Sequence, residues 1–162
     1  MSIFARLGRF AWKAPRTPLA AATLALERGD PVAALAHADA ALVAASGATA
    51  RAAAHNKRGV ALIRLAERDA ATLAFLAALE EAPQHVPAIV NVGNLLLESG
   101  LPADAVEQYE AALRLDDRYV PAYENLGVAL RLLGRRSESV RALRAAGRLT
   151  SRLQLRPKST EA

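Results

Sequence analysis

Apolar and polar positions along this chain recur at intervals of three and four residues, not at alternate ones, so the pattern predicts amphipathic helices and no strands. Turn-forming residues cut it into short runs. Pro18, Pro31, Pro87, Pro102 and Pro121 each stand where a run begins, a position where the missing N–H of proline is tolerated. Thr17 and Asp30 precede two of these prolines as N-caps, and Gly29, Gly100 and Gly134 close runs as left-handed C-terminal caps do. The predicted elements are antiparallel helix pairs over about 17–28 with 31–44, 52–66 with 69–82, 87–99 with 102–115, and 121–133 with 137–155. The fold class is all-α.

The pairs repeat. Gly59, Gly93 and Gly127 are 34 residues apart, and each lies inside a predicted helix, where glycine costs about 1 kcal/mol relative to alanine. Other columns keep the same interval: Leu62, Leu96 and Leu130; Ala71, Ala105 and Ser139; Phe75, Tyr109 and Leu143; Ala78, Ala112 and Ala146. A fixed period of this length is the mark of a stacked-repeat architecture. The expectation is that each glycine faces the small residue of its own pair, Ala71, Ala105 or Ser139, and lets two backbones approach. These glycines then serve packing and not a ligand.

Read together, Tyr123, Leu126-Gly127, Leu130, Ser139, Leu143 and Ala146 resemble the tetratricopeptide repeat family, as do Ile89, Val92-Gly93, Leu96, Ala105, Tyr109 and Ala112. His55, Gly59, Leu62, Ala71, Phe75, Ala78 and Pro83 give a third instance. The resemblance covers 52–85, 86–119 and 120–153, with a degenerate repeat at about 15–48 in which Ala21-Ala22 replace Leu-Gly and after which three extra residues intervene. The family's tryptophan is absent from every repeat. The resemblance implies a right-handed solenoid of about four repeats over 17–155, preceded by an N-terminal helix in 1–16 and followed by a tail at 156–162.

The resemblance also implies a non-catalytic scaffold whose first helices line a concave groove for an extended peptide or a partner helix. Carried over residue by residue, the groove comprises Asn56, Lys57, Val60 and Arg64, then Val90, Asn91, Asn94, Leu97 and Glu98, then Glu124, Asn125, Val128 and Arg131. A basic clamp on a terminal carboxylate, one family mode, is poorly matched, because Pro121 and Val60 stand where lysine and asparagine are needed. Asn91 and Asn125 instead resemble the asparagine ladder of the long glycosyltransferase solenoids. An amide offers donor and acceptor together and can hold a peptide backbone. Asparagine that is merely frequent at this position in the family is the alternative.

Charge is uneven. Residues 1–16 carry +4, residues 17–134 carry −5 and residues 135–158 carry +7. A pI near 10.2 often signals nucleic-acid binding, but the repeat body here is acidic and only its ends are basic. Nucleic acid is therefore the least expected partner. At the front, Phe4, Leu7, Phe10 and Trp12 accompany Arg6, Arg9 and Lys13 on an amphipathic stretch. An anionic membrane surface, a groove on another protein or a second copy, and a lid over the first repeat are three open readings. At the back, Arg141, Arg144, Arg148, Arg152 and Arg156 recur every three or four residues, within about a third of a helix circumference, which suits an acidic protein or lipid or is simply a solvated face.

Chemistry is scarce. There is no cysteine, and His37, His55 and His85 have no metal-ligand spacing. No phosphate loop or nucleophile elbow occurs, so the sequence predicts no enzyme, metal or cofactor. No apolar run reaches the roughly 20 residues of a membrane span. The nine-residue run Pro18–Leu26 leads into Glu27-Arg28-Gly29-Asp30 instead of a cleavage site. The expected location is the cytoplasm, with peripheral membrane contact as the variant.

Overall fold

The computed structural model describes residues 15–154. Among them the chain forms eight helices: α1 (Pro18–Glu27), α2 (Pro31–Ala44), α3 (Ala48–Arg64), α4 (Arg68–Glu81), α5 (Val86–Glu98), α6 (Pro102–Leu115), α7 (Val120–Leu132) and α8 (Arg136–Gln154). Each packs on the next, α1 also touches α3, and α5 also touches α7. First helices thus lie beside first helices along one side of the stack. The molecule is an all-α solenoid of four helix pairs.

Local chemistry sets the boundaries. The Thr17 hydroxyl accepts from the Ala20 N–H at 3.2 Å and the Asp30 carboxylate from the Ala33 N–H at 2.9 Å, so both act as the expected N-caps. The link within each pair repeats one hydrogen bond, in which an N–H donates back across the turn to the carbonyl five residues earlier. The four instances are Asp30 to Ala25, Glu67 to Leu62, Leu101 to Leu96 and Arg135 to Leu130, at 2.9–3.0 Å. Such a closure requires a left-handed residue. Gly29, Gly100 and Gly134 supply it, while the pair α3–α4 uses Ala66, with φ of 62°.

Two expectations change. Helix α3 starts at Ala48, a turn earlier than 52, because Ala48, Thr49, Ala50 and Arg51 extend the helix back to Gly47. The extra residues between the first two repeats are therefore helix and not linker. Second, the bulky column, and not the small one, lies nearest the place that a glycine Cβ would take. A Cβ on Gly59 would run into the Phe75 ring, and one on Gly93 or Gly127 would lie 2.6 Å from Tyr109 or Leu143. The bulky residue lies over the glycine, and its ring or isobutyl group occupies the space that a Cβ would take. The small column has its own role: the Ser139 hydroxyl donates to the Gly127 carbonyl at 2.6 Å.

The core is mainly alanine, with Phe75 and Tyr109 as its largest fully buried side chains. A cluster spanning α5 to α8 holds Ile89, Val90, Val106, Tyr109, Leu126 and Leu130. Phe4, Leu7, Phe10, Trp12 and Arg156 lie outside the described residues.

Candidate functional site

The side chains expected to line the concave face come mostly from α3, α5 and α7. Their central feature is a chain of amides. Asn91 Nδ2 donates to Asn56 Oδ1 at 2.8 Å, Asn94 Nδ2 reaches Asn91 Oδ1 at 3.5 Å, and Asn125 Nδ2 donates to Asn94 Oδ1 at 2.8 Å. Asn56 is buried, and the other three are half-buried. The sequence pattern points to Asn91 and Asn125 as the pair that matters. Their coupling runs through Asn94, three residues after Asn91 and therefore on the same helix face.

Tyr109 anchors this row from below. Its hydroxyl donates to Asn94 Oδ1 at 2.8 Å while its ring lies on Gly93. Burial pushes the phenol up to about 12, and the negative charge of Glu98 acts in the same direction. The phenol therefore stays a donor at any physiological pH and holds the Asn94 carbonyl in place. Beside it, a cavity of about 90 Å³ is lined by Val60, Ile63, Phe75, Asn91, Asn94, Leu95 and Glu98.

The charged candidates divide. Arg64 donates through Nη1 to the Leu26 carbonyl and so caps the C-terminus of α1. Glu98 accepts from Arg68 Nη1 at 2.5 Å, and Arg68 also reaches the Leu95 carbonyl at 2.7 Å and Ser99 Oγ at 3.0 Å. Arg68 belongs to α4 yet caps α5 of the next repeat. Its role was not visible in the sequence, although basic residues near helix C-termini are a known signal. Lys57, Glu124 and Arg131 form no ion pair among the described residues. Glu124 and Arg131 take the register positions of Val90 and Leu97 and are exposed. In the basic stripe Arg141 is 3.9 Å from Glu138, and Arg144, Arg148 and Arg152 are exposed.

Among the described residues no cluster of His, Asp and Glu is arranged to hold a metal ion, and no helix is long and apolar enough to cross a membrane. His55 and His85 each keep one buried ring nitrogen without a hydrogen bond, and burial lowers both imidazoles below their ordinary value.

Comparison with curated proteins gives no match. Among solved structures, the crystal structure of MamA is 23% identical with a TM-score of 0.65, over 85% of this chain and 78% of that one. A MamA fragment from Desulfovibrio magneticus RS-1, residue 41 to the end, is 23% identical with a TM-score of 0.59, over 79% and 71%. YrrB, a TPR protein with an unusual peptide-binding site, is 20% identical with a TM-score of 0.60, over 82% and 66%. These likenesses establish the fold. The family model for the tetratricopeptide repeat matches residues 86–119, the repeat formed by α5 and α6. One repeat matches the family directly and the other pairs are built to the same plan, so the chain has the tetratricopeptide-repeat fold.

Proposed function

We propose that the protein is a non-catalytic scaffold that holds a peptide segment or a helix of a protein partner in its concave groove, within a larger complex. The observation that carries this reading is the amide row Asn56–Asn91–Asn94–Asn125, beside an apolar cavity. Each amide uses one N–H or none inside the row, and Asn125 Oδ1 accepts nothing among the described residues. Donors and an acceptor are thus left for a guest backbone. The likeness to YrrB is in keeping with a peptide guest.

The row also stitches repeats together, and this dictates the test. Asn91→Ala strands the Oδ1 of buried Asn56, a loss of about 1–3 kcal/mol. Asn125→Ala leaves Asn94 Oδ1 bonded to Tyr109 and costs about 1 kcal/mol at most. The partner is first identified by affinity purification from the native cell with mass spectrometry. Asn125→Ala is then expected to weaken its capture with helicity and melting temperature nearly unchanged. Undiminished capture would refute the groove reading.

A second reading rests on the sequence of residues 1–16, whose +4 charge and apolar face suit an anionic bilayer. Under it the protein is a membrane-peripheral assembly factor. Liposome flotation of the full chain against a form lacking residues 1–16 decides: equal flotation removes this reading.

A further inference from the structure

The last helix pair differs from the others. On α6 the strip Val106, Tyr109 and Leu113 receives α7. Val106 and Tyr109 are 4% and 0% exposed, packed in one cluster with Ala122 and Leu126. The 34-residue register places Val140, Leu143 and Gly147 of α8 at the same three positions. Val140 and Leu143 are each 45% exposed. Solenoid ends are normally closed by a polar capping face, and among the described residues this end is not.

Gly147 adds a second observation. The repeat glycines lie under a bulky side chain, but a Cβ on Gly147 would meet nothing within 4 Å. No contact inside the described molecule offsets its helix-propensity cost. It leaves a notch where α6 has Leu113 and α4 has Leu79.

Charge selects the occupant. Exposed Arg144 and Arg148 adjoin Leu143 and Gly147 on α8, whereas Glu138, the acid of α8, is held by Arg135. The N-terminal segment of this chain or of a second copy carries +4, and another α8 carries the same arginines, so both are repelled. Residues 155–162 add Arg156 and Lys158 against Glu161. An anionic bilayer would use the arginines but has no need of a helix-wide apolar strip in a register that already seats α5 and α7.

We propose that the open end of the stack docks an amphipathic helix of a partner protein, its apolar stripe flanked by aspartate and glutamate, seated on α8 as α7 is seated on α6. The apolar strip lies on α8, whereas the amide row lies on α3, α5 and α7. Acidic flanks steer the helix on, and the Val140–Leu143–Gly147 strip holds it.

The test is fluorescence anisotropy on the full chain with labelled helical peptides of about 18 residues, five turns. One has a leucine stripe flanked by glutamates, and the other has lysines in their place. The glutamate peptide is expected to bind, more weakly as salt rises, and the lysine peptide at least about tenfold more weakly. Arg144→Glu with Arg148→Glu should reverse that preference. Val140→Glu should weaken the glutamate peptide by about tenfold or more. Neither variant touches the Leu143 contact on Gly127, so circular dichroism should be unchanged, and Asn125→Ala should leave this binding intact. No binding of the glutamate peptide, equal binding of both peptides, or indifference to these variants overturns the proposal. So does flotation with phosphatidylglycerol vesicles that the arginine reversal abolishes, which would assign the surface to lipid. A dimer in light scattering that Val140→Glu dissociates would assign it to a second copy and overturns it equally.

Discussion

Two glycines that share one column behave differently when changed, because their neighbours differ. Tyr109 is fully buried and tethered by its hydroxyl, so it cannot retreat from a Cβ on Gly93. Overpacking outweighs the propensity gain, and Gly93→Ala should destabilise the fold by about 1–2 kcal/mol. Gly127→Ala meets Leu143, a half-exposed side chain with room to swing aside, and should cost less. Urea titrations of the two variants provide the comparison. Ala66 offers the opposite case. It holds the left-handed turn that glycine holds in the other three pairs, at a cost of about 1–2 kcal/mol. Ala66→Gly should yield a net gain of about 0.5–1 kcal/mol after the added freedom of the unfolded chain, and a melting temperature higher by roughly 1–4 °C. The glycine column was legible in the sequence, but its partner was not. Pairing small with small follows from backbone spacing alone, whereas the direction in which Tyr109 throws its ring depends on the helix crossing.

At the scale of the helix, caps and turn closures were readable because they rest on local chemistry. Thr17, Asp30 and the turn glycines act where the pattern put them. The start of α3 was not legible because a run of alanine-rich sequence carries no stop signal, and only Gly47 ends it. The cross-repeat caps made by Arg64 and Arg68 were also invisible, since they join residues 38 and 27 positions apart. Helix α8 provides a direct test of propensity. A Cβ on Gly147 would meet nothing within 4 Å, so Gly147→Ala should stabilise the protein by about 1 kcal/mol, the reverse of Gly93→Ala. Differential scanning calorimetry of the two variants should show melting temperatures displaced in opposite directions.

The whole molecule should be sensitive to mild acid. His55 and His85 are kept neutral by burial, with Arg51 and Arg58 acting in the same direction on His55 and Glu81 against them. In the unfolded chain both take up a proton near pH 6.5. The unfolded state then binds more protons, so stability is full above that value and falls as pH drops through it towards the lower folded values. Glu81 and Glu138, held below the ordinary carboxylate range by Arg51 and Arg135, act only in stronger acid. Urea midpoints should therefore drop between pH 7.5 and 5.5, and replacing both histidines with glutamine should flatten the slope. The stack and its period could be read from sequence. Which end lacks a cover could not, because the exposure of Val140 and Leu143 depends on whether another helix lies against α8.

The amides of the concave face also give it a sense of direction. Each of the last three points an N–H at the carbonyl before it, from Asn125 through Asn94 and Asn91 to Asn56, so the row is polarised along its length. Asn94 Oδ1 already accepts two hydrogen bonds, from Tyr109 and Asn125, whereas Asn125 Oδ1, at one extremity of the row, accepts none among the described residues. Under the proposed function, a guest polypeptide finds its free acceptor at the Asn125 end, so one orientation along the row is favoured over the other.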